Sequence, residues 1–115
     1  MKWVSAVIRQ SRLDDVVDAL DAIGISRLTV TEVQGYGGQT RHAHAEESEE
    51  YLEYRPKFVP HIQIDIALPD ERLREVIDTV RRSARTGRIG DGKIIVSALE
   101  SAVRIRTSET GETAL

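Results

Sequence analysis

Apolar positions change period along the chain in a regular order, and each change predicts an element. Trp3 to Ile8, "WVSAVI", is mostly apolar, as a buried strand is. "SRLDDVVDALDAIG" then places Leu13, Val16, Val17, Leu20 and Ile23 on one face of a helix. Ser11 is placed to cap it, Asp14 falls in the first turn where the helix dipole favours an acid, and Gly24 supplies the C-terminal stop. "SRLTVTEVQGYG" is rich in β-branched residues and predicts a second strand ending at Gly35 to Gly38. Residues 39–57 are polar and acidic without a convincing period, which predicts a long functional loop.

The second half repeats the scheme. Ile62, Ile64, Ile66 and Leu68 alternate with Gln63, Asp65 and Ala67, as in a strand with one buried face. Pro69 and Asp70 open a second helix with Leu73, Val76, Ile77, Val80 and Ala84 on its apolar stripe. "KIIVSAL" predicts a fourth strand, and "AVRIRT" a short fifth, with Val103 and Ile105 alternating against Arg104 and Arg106. The order β-α-β-β-α-β predicts an α+β, ferredoxin-like sandwich with both helices on one sheet face. The other face stays uncovered, so a homo-oligomer is expected.

Composition narrows the function. The chain has 115 residues, so one domain spanning 1–115 is expected. A net charge of −3 argues against nucleic acid or an anionic membrane as the main partner. The absence of cysteine excludes disulfides, thiolate metal sites and cysteine nucleophiles. No run approaches the length of a membrane span or a signal sequence, so a cytoplasmic protein is expected.

The richest chemistry lies in "ARTGRIGDGKIIV", Ala84 to Val96. Gly90 and Gly92 allow close approach of backbone to ligand, and Lys93 with Arg85 or Arg88 suits a phosphate. The same pattern also fits a glycine-rich turn with solvated charges. Strand period puts Arg104 and Arg106 on one side, a pair suited to clamp a polyphosphate. In "RHAHAEESEE", His42 and His44 precede a run of glutamates and offer a transition-metal site, against the plainer reading of exposed loop histidines. No hydrolytic constellation is legible, and His61 has no positioned nucleophile to serve as base, so an enzyme is not expected.

Three stretches carry a family resemblance: "LDDVVDALDAIGISRLTVTEVQGYGGQ", "TGRIGDGKIIV" and "VRIRTSETGETAL". Together they resemble the PII signal-transduction proteins, sensors of nitrogen and carbon status. The resemblance implies a homotrimer that binds ATP or ADP, with Mg, in clefts between subunits. It also implies a T-loop of about residues 37–57 that engages a membrane transporter or a metabolic enzyme. A B-loop of about residues 85–93 and a C-terminal segment of 102–115 complete the expected site.

By position, Gly90, Asp91, Gly92 and Lys93 match the loop around the phosphates, and Arg104 and Arg106 the basic pair brought to them. Thr29, Gly35 and Gly37 match positions around the adenosine, and Ala67 the strand position whose backbone meets the base. Gln39 matches the residue that helps hold magnesium with ATP and 2-oxoglutarate. Gly38 stands where an arginine is common, and Thr40 where a lysine is. His61 replaces the lysine that pairs with the 2-oxoglutarate carboxylate, so a weakened response to that effector is expected. Arg9-Gln10-Ser11 replaces a Lys-Pro-Phe segment near that pocket. The T-loop is longer than usual, and Tyr54 or Tyr51, depending on the end counted from, matches a tyrosine that some members modify. A sensor of metal or bicarbonate using the histidine- and glutamate-rich loop, or a phosphoryl-transfer enzyme on the same fold, are the rival readings.

Overall fold

The computed structural model describes residues 1–36 and 58–115. Four strands, β1 (Lys2–Ile8), β2 (Thr29–Tyr36), β3 (Phe58–Leu68) and β4 (Lys93–Ala98), form one sheet in the order β2-β3-β1-β4. Helix α1 (Leu13–Ala22) joins β1 to β2, and α2 (Leu73–Ala84) joins β3 to β4. Every pairing is antiparallel: Val4 faces Ile66 and Val96, and Ala6 faces Ile64 and Ile94. This is the expected ferredoxin-like α+β fold.

Strand alternation decides which face is covered. Val4, Ala6 and Ile8 of β1 and Ile62, Ile64, Ile66 and Leu68 of β3 are buried against Val16 and Leu20 of α1 and Val76, Val80 and Ala84 of α2. Each valine, leucine or isoleucine among them contributes about 1.5–3 kcal/mol on burial. The opposite face carries Trp3, Ser5, Val7, Gln63, Asp65, Ala67 and Ile95, and both Trp3 and Ile95 are exposed in the single chain. Gln63 donates from Nε2 to the Asp65 carboxylate at 3.1 and 3.2 Å on that face.

Helix ends follow the expectation at one terminus and not at the other. Gly24 has φ +84°, Ile25 N–H donates to Leu20 O at 2.9 Å and Gly24 N–H to Asp21 O at 3.0 Å. Those two bonds close α1 in the Schellman manner, with Ile25 folded onto the core. Ser11 does not cap. A 3-10 turn, Gln10–Arg12, precedes α1, Arg12 N–H donates to Arg9 O at 3.0 Å, and Arg12 takes the cap position without a side-chain bond. The α2 entrance is built alike: Pro69 precedes the 3-10 turn Asp70–Arg72, and Arg72 N–H donates to Pro69 O at 3.1 Å. In both places the 3-10 turn satisfies main-chain donors that a side-chain cap would have served.

The expected fifth strand is reduced to one bridge, Val103 with Thr110. Arg104 N–H donates to Glu109 O at 2.9 Å, Ser108 N–H to Arg104 O at 2.8 Å, and Ser108 takes φ +62°. The segment therefore turns back on itself instead of extending the sheet. Its alternation has no surface to bury against, because Val103 is 63% and Ile105 98% exposed. Among the described residues, no helix is long and apolar enough to cross a membrane.

Candidate functional site

The glycine-rich loop between α2 and β4 owes its shape to one carboxylate. Asp91 accepts from the Thr86 N–H and the Gly87 N–H, each at 2.9 Å, from the Thr86 hydroxyl, and from Arg9 Nε at 3.0 Å. These donors, the Thr86 hydroxyl foremost, hold the Asp91 carboxyl far below the usual carboxylate range, with burial opposing them. A carboxylate free beside a phosphate would repel it; here it faces its own loop. Thr86 Oγ1 also accepts from Arg88 N–H at 3.2 Å. Among the described residues, no side chain is bonded to the amides of Gly90, Asp91 or Gly92, so these are the donors left for a ligand.

Glycine is required at two of these positions for different reasons. Gly92 has φ +95°, and a Cβ there would sit 1.7 Å from Val7 O of the neighbouring strand. Gly90 has φ +102°, and a Cβ there would meet the Arg9 guanidinium at 3.3 Å. The loop is thus folded left-handed and pressed against the end of β1.

His61 closes the same end of the sheet. It is buried, 5% exposed, with Nδ1 3.1 Å from Val59 O and Nε2 3.1 Å from Gly90 O. Both ring nitrogens thus face main-chain carbonyls of the same chain. Gly35, opposite Val59 in β2, makes the room: a Cβ there would lie 3.3 Å from His61 Nδ1. A cavity of about 350 Å³ opens beside the loop, lined by Val7, Ile8, Ile77, Val80, Arg81, Ala84, Arg85, Asp91, Gly92, Lys93 and Ile94.

The twin arginines lie elsewhere. Lys93 pairs with Val7 at one end of the sheet, whereas Ala98 pairs with Lys2 at the other, five strand steps or roughly 17 Å away. The C-terminal segment leaves from that far end, where Leu99 N–H donates to Met1 O at 3.1 Å. Arg104 is half-buried and donates from Nη1 to Glu109 Oε1 at 3.3 Å and from Nη2 to Leu115 O at 3.1 Å. Arg27 donates to the same Leu115 oxygen at 3.0 Å. A second cavity of about 350 Å³ at this end is lined by residues including Gly24, Arg27, Ala67, Arg72, Glu112 and Leu115. Arg106 is exposed.

The expected residues therefore fall into two groups. Gly35, Gly90, Asp91, Gly92 and Lys93 gather at the Ile8 end of β1. Ala67, paired with Trp3, and the Arg104 segment gather at the Lys2 end, while Thr29, opposite Asp65, stands between. Gly37, Gly38, Gln39, His42, His44, Tyr51 and Tyr54 lie outside the described residues. Among the described residues, no group of three or more histidine, aspartate or glutamate side chains is placed to hold a metal.

Residues 1–109 match the family model described as nitrogen regulatory protein P-II. The chain belongs to the P-II family. It is 50% identical to the nitrogen regulatory protein GlnK of Escherichia coli K12 over 115 residues, the full length of both chains. It is 45% identical over 111 residues to the nitrogen regulatory protein P-II of Bradyrhizobium diazoefficiens, covering 96% of each chain. A crystal structure of Arabidopsis thaliana PII bound to citrate superposes with a TM-score of 0.80 at 34% identity, covering 99% of this chain and 91% of that one. P-II membership makes the chain a signalling regulator of the nitrogen regulatory class.

The parts of this P-II site missed in the sequence are the Arg9–Asp91 pair, the Thr86 hydroxyl and the contact of His61 with Gly90. Thr86 and Asp91 bracketing a glycine turn carried a signal of a loop folding onto its own acid. Arg9 gave no such signal, since 82 positions separate it from Asp91.

Proposed function

We propose that this P-II protein is a non-catalytic, homotrimeric cytoplasmic regulator that binds ATP or ADP between subunits and transmits their state through residues 37–57 to a client protein. Mg enters only with the bound ATP. The observation that carries the reading is the division of the basic and glycine-rich groups between opposite ends of one sheet. A glycine loop with unclaimed amides and Lys93 sits at one end, and Arg104 and Arg106 leave from the other. One chain cannot close both on a single phosphate group. A head-to-tail ring can, because it sets one protomer's loop beside the next protomer's arginines. The exposed Trp3 and Ile95 face supplies apolar area for such a ring. ATP and ADP differ in the charge offered to that composite cleft, and differential affinity for two loop states is what shifts a population.

A weakened 2-oxoglutarate response belongs to the same reading. Both His61 nitrogens face main-chain carbonyls of their own chain, and the ring lacks the fixed ammonium that would meet a carboxylate. The transporter or enzyme that reads residues 37–57 is a client of the nitrogen-regulatory kind.

Subunit complementation tests the composite cleft. Lys93→Ala and Arg104→Ala each lower ATP affinity alone. Unfolded and refolded together in equal amounts, they regain native affinity in roughly a quarter of the clefts, those pairing an intact loop with an intact arginine segment. No recovery on mixing would mean that loop and arginines never serve one ligand.

A further inference from the structure

Arg9 reaches across the sheet end into the glycine loop. Its Nε donates to Asp91 Oδ1 at 3.0 Å and its Nη2 to Ile89 O at 2.7 Å. Its guanidinium carbon lies 3.6 Å, and Nη2 3.3 Å, from the point where a Gly90 Cβ would stand. The fork is thus laid along the bare face of Gly90, bonded on one side to the acid that organises the loop and on the other to a loop carbonyl. Its Asp91 partner simultaneously orients Thr86 and Gly87. About a third of the Arg9 side chain and a quarter of the Asp91 side chain remain exposed. Two opposite charges therefore neutralise one another at the mouth of the loop.

We propose that Arg9 is a positioning residue for phosphate recognition: it fixes the Gly90–Gly92 amides through Asp91 and the Ile89 carbonyl, and does not itself contact the nucleotide. The proposal rests on the nucleotide reading above. The chemistry favours it over direct contact. Two of the five Arg9 N–H groups, on Nε and Nη2, already serve acceptors of its own chain, and turning them outward would strip Asp91 of its charged partner. A guanidinium is suited to the task because its rigid planar fork holds both acceptors in one fixed geometry, whereas an ammonium is a point charge on a flexible stem.

The test uses the intact protein and the variants Arg9→Lys, Arg9→Ala, Asp91→Asn and Arg9→Ala/Asp91→Asn. ATP and ADP affinities are measured by calorimetry at low and high salt. Amide hydrogen exchange at Thr86 and Gly87 is followed without nucleotide. Arg9→Lys and Arg9→Ala are expected to weaken ATP and ADP equally, each by roughly tenfold, the effect of losing a hydrogen bond to a charged group. The salt dependence of binding stays at its native slope, and the double variant is no weaker than the weaker single. Thr86 and Gly87 exchange faster while the strand amides keep their protection, the mark of a loosened loop in a folded chain.

Unchanged affinity in Arg9→Ala overturns the proposal. So does a loss larger for ATP than ADP with a reduced salt slope, which would make Arg9 a direct phosphate ligand. Additive losses in the double variant would also overturn it. Wild-type protein that binds neither nucleotide sinks the nucleotide reading itself, a result separate from any difference among the variants.

Discussion

The two ends of the sheet solve the problem of holding irregular backbone in opposite ways. At the Ile8 end, the glycine loop folds onto its own Asp91 and is fastened from outside its sequence as well. Arg9, just past β1, and His61, in β3, reach it from far along the sequence, and Gly92 is pressed against Val7 O. At the Lys2 end, the C-terminal hairpin is fastened mostly from within: Arg104 N–H to Glu109 O, Gly111 N–H to Ala102 O, and the Arg104–Glu109 ion pair at 3.3 Å. Arg27, in the connection from α1 to β2, donates to its terminal Leu115 O. The first region is preorganised by tertiary contacts, whereas the second carries most of its order in its own turn. Preorganised amides cost little further ordering on binding.

Glycine substitutions give the largest separation between the two regions. Gly92→Ala adds a methyl where only 1.7 Å is available, on a backbone at φ +95°. Strain of about 1–3 kcal/mol adds to the overlap, so urea unfolding should show a loss beyond that range and nucleotide binding should disappear. Gly111→Ala, at φ +70° with nothing within 4 Å, bears the strain alone and should lose about 1–2 kcal/mol. Equal losses at the two positions would remove the distinction drawn between them.

Acid comes next. The Asp91 pKa is lowered in the fold, so the stability it contributes is present above its unfolded value near 3.8 and is lost as pH falls through that value toward the folded one. Urea midpoints between pH 7 and pH 3 should fall more steeply for wild type than for Asp91→Asn. Glu109→Gln, which removes a half-exposed pair at the other end, should cost at most about 1 kcal/mol and leave the acid profile parallel to wild type. Parallel profiles for all three proteins would show that Asp91 does not organise its loop.

The smallest effect concerns His61. Wild-type protein is expected to bind ATP with the same affinity in the presence and absence of 2-oxoglutarate. His61→Lys should introduce a coupling of about fivefold, near 1 kcal/mol. Calorimetric titration with both ligands decides it, and strong coupling in the wild type would mean that the bonds around His61 do not close the site to a dicarboxylate.

Much of this was legible from residue order. The periods of α1, α2 and β3 are unambiguous because each element buries one stripe against a single core. The Val103–Arg106 alternation misled because a two-residue period records extended backbone but not the partner, and this hairpin pairs with itself. Ser11 misled because a 3-10 turn can satisfy the same donors without a side chain. Gly90 and Gly92 were legible as a loop, since few residues tolerate such dihedral angles. The Arg9–Asp91 bond and the separation of Lys93 from Arg104 depend on strand register, which the local pattern does not encode.

The β2–β3 hairpin ends with Tyr36 directly opposite Phe58, their rings 5.2 Å apart. Tyr36 and Phe58 therefore hold the ends of β2 and β3 side by side, whatever sequence joins them. Closing a longer excursion from such a clasp adds only about 0.6 kcal/mol per doubling of its length. The fold can thus exchange one connection for another of different size while β2 and β3 keep their register. The length of that connection is free to diverge as a cassette.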